Sequence, residues 1–264
     1  MCLAAIAWKL HPQYAAIVIA NRDEFHARPT RPIELWSDKP SVLAGRDLLA
    51  GGTWFGLDAR RRFGLITNYR EPVSASGALP SRGRLIPEFL TSEISAADYL
   101  KRLENEARDY AGFNLLLADG QELWYASNRD PSFARPLAPG HYAICNHLLD
   151  TPWPKLARLR EVLGDWAQRG ETDLTPLWAA LGDRMLAPEH ALPQTGISAE
   201  WERILSAAFV QHPDYGTRST TILLMDYLGN WSVEERCFDV MGEPTAALRF
   251  ISNGGSWPPD RLSL

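Results

Sequence analysis

Apolar and polar positions alternate along this chain in two different rhythms. The opening run, residues 2–9, is almost wholly apolar, and Tyr14–Ala20 repeats that character after the break His11-Pro12-Gln13. Two short apolar runs around a Pro-containing turn predict a β-hairpin with position 2 at the start of a core strand. The segment "RPTRPIELW" is punctuated by proline and reads as loop. Thr53–Leu57 and Phe63–Asn68 read as two further strands around Arg60-Arg61-Arg62, a solvated turn, with Gly51-Gly52 marking a bend or a close backbone approach.

From Ser81 the period lengthens to that of a helix, in "SRGRLIPEFLTS" and then "SAADYLKRLENEARDY", where Ser95 followed by Asp98 is an N-cap signal. Strands return in "FNLLLADGQELWYAS", folded at Asp119-Gly120, and in "HYAICN". A second helical block follows: Leu156, Leu159, Leu163 and Trp166 share one face and Gly170 fits the C-terminal cap, with shorter helices in "DLTPLWAALGD" and "SAEWERILSAAFV". Two strands around Gly229-Asn230, a strand at Ala246–Ile251 and a loose tail from about residue 252 complete the pattern. Blocks of strands alternating with blocks of helices, with hairpin turns inside the strand blocks, predict an α+β layered fold of antiparallel sheets in one domain over 1–264.

Composition changes this picture little. The 264 residues can bury a large core, and the ten tryptophans suggest an extensive buried surface or a cavity. Trp36, Trp54, Trp124 and Trp153 are read as core residues, some able to wall a pocket. A net charge of −5 supplies no footprint for nucleic acid. Three cysteines without CxxC spacing argue against a disulfide framework and a structural zinc site, and the six histidines lack metal-ligand spacing. The N-terminus has no cationic region leading into a continuous apolar run, and no stretch reaches the ~20 apolar residues of a membrane span, so no integral membrane segment and a cytoplasmic location are expected. Nothing in the sequence gives an oligomeric state.

The candidate chemistry starts at Cys2. A buried cysteine is often an inert small hydrophobe. If Met1 is removed, however, Cys2 carries a thiol and a free α-amine on the same carbon, a nucleophile with its own base. The hairpin brings Asn21-Arg22-Asp23-Glu24 back beside it, so that Asp23 can hold the amine. Acyl transfer also needs oxyanion donors, for which Asn68 and Asn146, each ending a strand, are candidates, although strand-end asparagines also form turns. Arg218, in "YGTRSTT", fits either an anionic substrate group or a surface carboxylate.

The stretches "ANRDEFHARPTRP", "LAGRDLLAGGTWFGL", "LITNYREP", "SRGRL", "GFNLLL", "TPWPK", "LPQTGIS", "EWERILS" and "YGTRSTTILLMD", in that order over roughly residues 2–238, resemble the NRDE family, also called the transport and Golgi organisation 2 family. That family is similar to N-terminal nucleophile hydrolases of the choloylglycine hydrolase and penicillin V acylase type. The resemblance implies a four-layer αββα sandwich, with Cys2 attacking an amide and Asp23, Asn146 and, more loosely, Arg218 in support. Asn68 completes the candidate catalytic set, and Arg22, Asn21 and Trp54 are candidate substrate-binding residues. The resemblance implies no required cofactor. Members are associated with haem mobilisation, lipid or acyl-CoA homeostasis and secretory organisation, which makes haem or an acyl thioester an alternative ligand to a small-molecule amide. In the hydrolases an arginine stands two or three residues before the aspartate. Here Arg22 immediately precedes Asp23, so strand alternation predicts that its side chain points away from Cys2.

Overall fold

The computed structural model describes residues 2–71 and 79–262. Two seven-stranded antiparallel sheets face one another. The first is built from β1 (Cys2–Trp8), β2 (Tyr14–Phe25), β10 (Gly140–Ile144), β11 (Tyr215–Asp226), β12 (Trp231–Phe238), β13 (Pro244–Ser252) and β14 (Asp260–Leu262), in the order β10-β1-β2-β11-β12-β13-β14. The second runs in sequence order through β3 (Thr30–Trp36), β4 (Lys39–Asp47), β5 (Phe55–Asp58), β6 (Phe63–Asn68), β7 (Phe113–Ala118), β8 (Leu123–Ser127) and β9 (Ala134–Leu137).

Between the sheets, Ala4, Ile6, Trp8 and Val18 of the first meet Leu43, Leu57, Phe63 and Leu116 of the second. The alternate residues of the same strands, Leu3, Ala5, Ile17 and Ile19, face outward under α3 (Pro154–Gln168) and α4 (Thr175–Leu181). On the far side, α1 (Leu85–Thr91) and α2 (Ala96–Leu103) cover Val42, Ala44 and Leu115 of the second sheet. The result is the four-layer helix–sheet–sheet–helix sandwich. Both faces of β1 and β2 are therefore apolar, which is why they read as continuous runs and not as alternation. A fifth helix, α5 (Ala199–Ile204), packs Trp201 and Ile204 into a separate small cluster with Leu205, Val210 and Tyr215. Among the described residues no helix is long and apolar enough to cross a membrane.

Three local readings change. "RPTRPIELW" is not loop: Thr30–Trp36 forms β3, an edge strand, where proline is tolerated because one side of the backbone needs no ladder partner. The end of the chain is not loose through residue 262, since β14 pairs with β13 and the Trp257 indole donates to the Pro40 carbonyl at 2.8 Å. Arg62 is not solvated. It is buried, bonds Asp58 at 2.7 Å and donates to the Leu90 and Ser92 carbonyls, tying the end of α1 to the β5–β6 turn, while Arg61 takes the exposed, positive-φ place.

Candidate functional site

Antiparallel register assembles the site. Cys2 lies directly opposite Arg22, Arg22 opposite Ser219, and Ser219 opposite Cys237. Directly opposed residues project from the same face of a sheet, so these four side chains form one row across β1, β2, β11 and β12, on the face turned toward the second sheet. The expectation that Arg22 points away from Cys2 is therefore overturned. Alternation does separate Arg22 from Asp23, but the side it gives Arg22 is the side of Cys2.

A cleft of about 450 Å³ opens over the Cys2 end of this row, and Arg22, Asp23, Trp54, Asn68 and Arg82 contribute to its walls. The Arg22 guanidinium stacks 4.2 Å from the Trp54 ring and stands 3.9 Å from Glu24. Its Nη1 is buried with no hydrogen-bond partner among the described residues. Trp54 fits because Gly45 has no side chain: a Cβ there would sit 2.3 Å from the indole. The Gly51-Gly52 signal marks a close approach, since a Cβ on Gly52 would lie 2.4 Å from the Gly83 backbone, whose carbonyl accepts the Thr53 N–H at 2.9 Å. Phe25 and Leu79, both about half exposed, give the mouth an apolar rim.

Asp23 is buried beside this row and opposite Thr217, whose hydroxyl donates to it at 2.7 Å, while the Tyr215 hydroxyl donates to its backbone carbonyl at 2.8 Å. Burial pushes the Asp23 carboxyl above the usual carboxylate range, opposed by the charge of Lys155, the Thr217 bond and Arg22. Burial likewise pushes the Cys2 thiol up to about 11; Asp23 and Glu24 add to this and Arg22 opposes it. A thiol in that state is protonated at neutral pH and a poor nucleophile without a local base. Residue 1 lies outside the described residues, so the expected removal of Met1 is not addressed by this geometry.

The other sequence candidates separate. Asn68 reaches the cleft, and its backbone carbonyl accepts the Asn146 amide at 2.9 Å. Asn146 is fully buried behind it, accepting the Cys145 thiol at 3.1 Å and linking the first sheet to the end of β6. Asn21 faces the helical side. It donates to the Leu181 and Ala208 carbonyls at 2.8 and 2.9 Å and accepts from Thr220 at 2.7 Å, which makes it a clamp on α4 and not a cleft residue. Arg218 is the extra residue of a β-bulge between Thr217 and Ser219, and the bulge re-aims it. Its guanidinium donates to the Phe25 and His26 carbonyls at 3.1 Å, holding the turn after β2, and borders a smaller cavity behind Trp54.

Several cleft residues were not singled out from sequence: Glu24, Arg28, Asp47 and Arg82. Arg28 and Asp47 pair at 2.7 Å, and Arg28 also approaches Glu24 at 3.8 Å. The repeated arginines of "ARPTRP" and "SRGRL" carry the only signal that could have marked this mouth as cationic. Among the described residues no three His, Cys, Asp or Glu side chains gather as a metal-holding group.

Comparison with known proteins gives three findings. The family model for Transport and Golgi organisation 2 matches residues 1–240. The Transport and Golgi organization protein 2 homolog of Bos taurus is 37% identical over 258 residues, covering 89% of this chain and 92% of that protein, and the Homo sapiens homolog is 33% identical with the same coverage. A mutant conjugated bile acid hydrolase from Clostridium perfringens superposes with a TM-score of 0.54 at 8% identity, over 100% of this chain and 97% of that one, a likeness of fold.

Proposed function

The chain belongs to the Transport and Golgi organisation 2 family, and from that premise we propose that it is an amidohydrolase or acyltransferase whose nucleophile is the N-terminal cysteine formed when Met1 is removed. The observation that carries the reading is the placement of Cys2 and Arg22 side by side at the base of one cleft, with the Asp23 carboxylate beside them. The thiol proton passes to the α-amine of Cys2 itself. The thiolate adds to the substrate carbonyl carbon, the oxyanion is received by donors such as the Asn68 amide, and the ammonium returns its proton to the leaving amine or thiol. Water, or an acceptor amine or thiol, then cleaves the thioester. Arg22 offsets the burial of the thiolate and presents its free N–H to a carbonyl or anionic group of the substrate.

The N-terminal mass of protein made in its own host, followed by turnover of an amide and acyl-thioester panel by wild type and Cys2→Ser, tests this. Met1 is expected to be absent and the serine variant at least ~100-fold slower, the scale set by loss of an essential nucleophile. Full activity with Met1 retained overturns the reading.

The apolar rim next to Arg22 and Arg82 favours one second reading, a non-catalytic carrier of an acyl-CoA-like lipid or haem. Trp54 stands in the cleft wall, so saturable quenching on titration with long-chain acyl-CoA or haem, retained in Cys2→Ser, is the outcome that selects it.

A further inference from the structure

Four hairpin turns meet at the end of the sandwich away from Cys2. They join β1 to β2, β5 to β6, β7 to β8 and β11 to β12, and they border a cavity of about 240 Å³. Each carries one left-handed residue: Lys9 at φ 49°, Arg61 at 64°, Gly120 at 87° and Gly229 at 91°. Glycine takes that conformation without steric cost, and a residue with a side chain does not. Two of the four turns therefore hold a cation where the backbone favours glycine. Neither cation makes an ion pair among the described residues. The Lys9 ammonium lies 5.1 Å from the Trp8 ring centroid and donates to the Gln121 carbonyl at 2.8 Å. Arg61 is exposed and lies across Gly229, where a Cβ would sit 1.7 Å from its Nη1. Its neighbours in the basic run are spent elsewhere, Arg60 on Glu93 and Arg62 on Asp58. Asp226 also borders the cavity, but its carboxylate already accepts the Asn230 backbone N–H at 2.8 Å and the Asn230 side-chain amide at 2.7 Å. The floor is apolar, since Trp8, Phe63 and Met225 belong to the buried core between the sheets.

We propose that this cavity is a second ligand site, separate from the cysteine cleft, for a small aromatic or short-chain carboxylate. Lys9 and Arg61 supply charged donors for the carboxylate, and Trp8, Phe63 and Met225 receive the apolar body. Size limits the ligand: the cavity is smaller than the ~300–1,000 Å³ of sites for drug-sized molecules, so it suits about one ring. Position separates it from the chemistry at Cys2. Cys2 and Trp8 stand at the two ends of β1, about 20 Å apart along an extended strand, and a one-ring ligand does not span that length. The site therefore accounts for the central arginine of the Arg60-Arg61-Arg62 run, which neither α1 nor the cleft uses.

The indole N–H signals of protein labelled with 15N-tryptophan test this, with those of Trp8 and Trp54 identified from Trp8→Phe and Trp54→Phe. Benzoate is expected to shift the Trp8 signal saturably. Benzamide, its uncharged counterpart, is expected to bind at least ~10-fold more weakly, the scale of one charge-assisted hydrogen bond. Lys9→Gly and Arg61→Gly keep the turns and remove the cations. Each is expected to weaken benzoate at least ~10-fold and to melt no lower than wild type, because glycine relieves the left-handed backbone. A Trp8 signal unmoved by benzoate overturns the proposal, as do equal affinities for benzoate and benzamide, or wild-type affinity in both glycine variants. A shift confined to Trp54 assigns the anion to the cleft and likewise overturns it. Should both glycine variants melt well below wild type, the cations serve the turns and the proposal falls. No readout uses turnover, so the hydrolase reading stands or falls separately.

Discussion

Arg62 and Arg22 are both buried arginines on strands or turns of the same sandwich, yet they are held in opposite ways. Arg62 spends its guanidinium on Asp58 and on the Leu90, Ser92 and Ile94 carbonyls. Arg22 has a stacked tryptophan, a carboxylate at the limit of ion pairing, and an Nη1 with no partner among the described residues. A fully bonded buried guanidinium is structure. One left with a buried, unpartnered donor at the wall of a cleft beside a cysteine is a candidate ligand contact, because leaving a buried donor unmade is costly unless a ligand or water completes it.

The sharpest break of this comparison is Arg62→Met, which leaves Asp58 buried and uncompensated. It is expected to lose about 3–5 kcal/mol in urea denaturation.

At the thiol end of the row the test is alkaline pH. Cys2 has its folded pKa raised from 9.0 to about 11, so its contribution is complete below pH 9 and is lost as pH rises through 11, when the buried thiol must ionise. Two units correspond to about 3 kcal/mol. Stability curves from pH 8 to 11 should therefore fall less steeply in Cys2→Ala than in wild type, and parallel curves would contradict the burial argument.

Asn21→Ala removes two donors from the Leu181 and Ala208 carbonyls without touching the cleft. A loss of about 2 kcal/mol is expected, with Cys2 alkylation by iodoacetamide unchanged.

Arg22→Met should have the smallest effect on stability, within about 1 kcal/mol, because it removes a partly compensated charge and keeps an apolar surface against Trp54. Its mark is chemical: Cys2 alkylation at pH 8 slows several-fold as the only cation shown to oppose thiol burial from the adjacent strand disappears. A destabilisation as large as that of Arg62→Met would erase the distinction between the two arginines.

Legibility in the sequence followed the range of the interactions. The β1–β2 hairpin, the Ser95 cap that accepts the Asp98 N–H, and Gly170 in a left-handed conformation after α3 are decided within a few residues, and each was readable. The strand β3 was obscured because its prolines are admissible only at an edge, and edges exist only once a sheet is assembled. β14 was obscured for a related reason, since the three exposed residues Asp260–Leu262 become a strand only against β13. In the site, Cys2 and Asp23 were legible by type and spacing. Asn21 and Arg218 were misplaced because which face meets the cleft depends on pairing and on the bulge at Arg218.

The amino-acid sequence by itself determined the apolar runs of the core strands, the blocks of strands and helices, and the presence of a cysteine at the start of a core strand. Those are local consequences of backbone period and side-chain polarity. Tertiary structure alone decided that Arg22 stands opposite Cys2, that Arg62 is buried, and that Lys155 is buried with its ammonium on the Ala207 carbonyl. Cross-strand register and layer packing join residues far apart in the chain, and no spacing within one strand encodes its partner's phase.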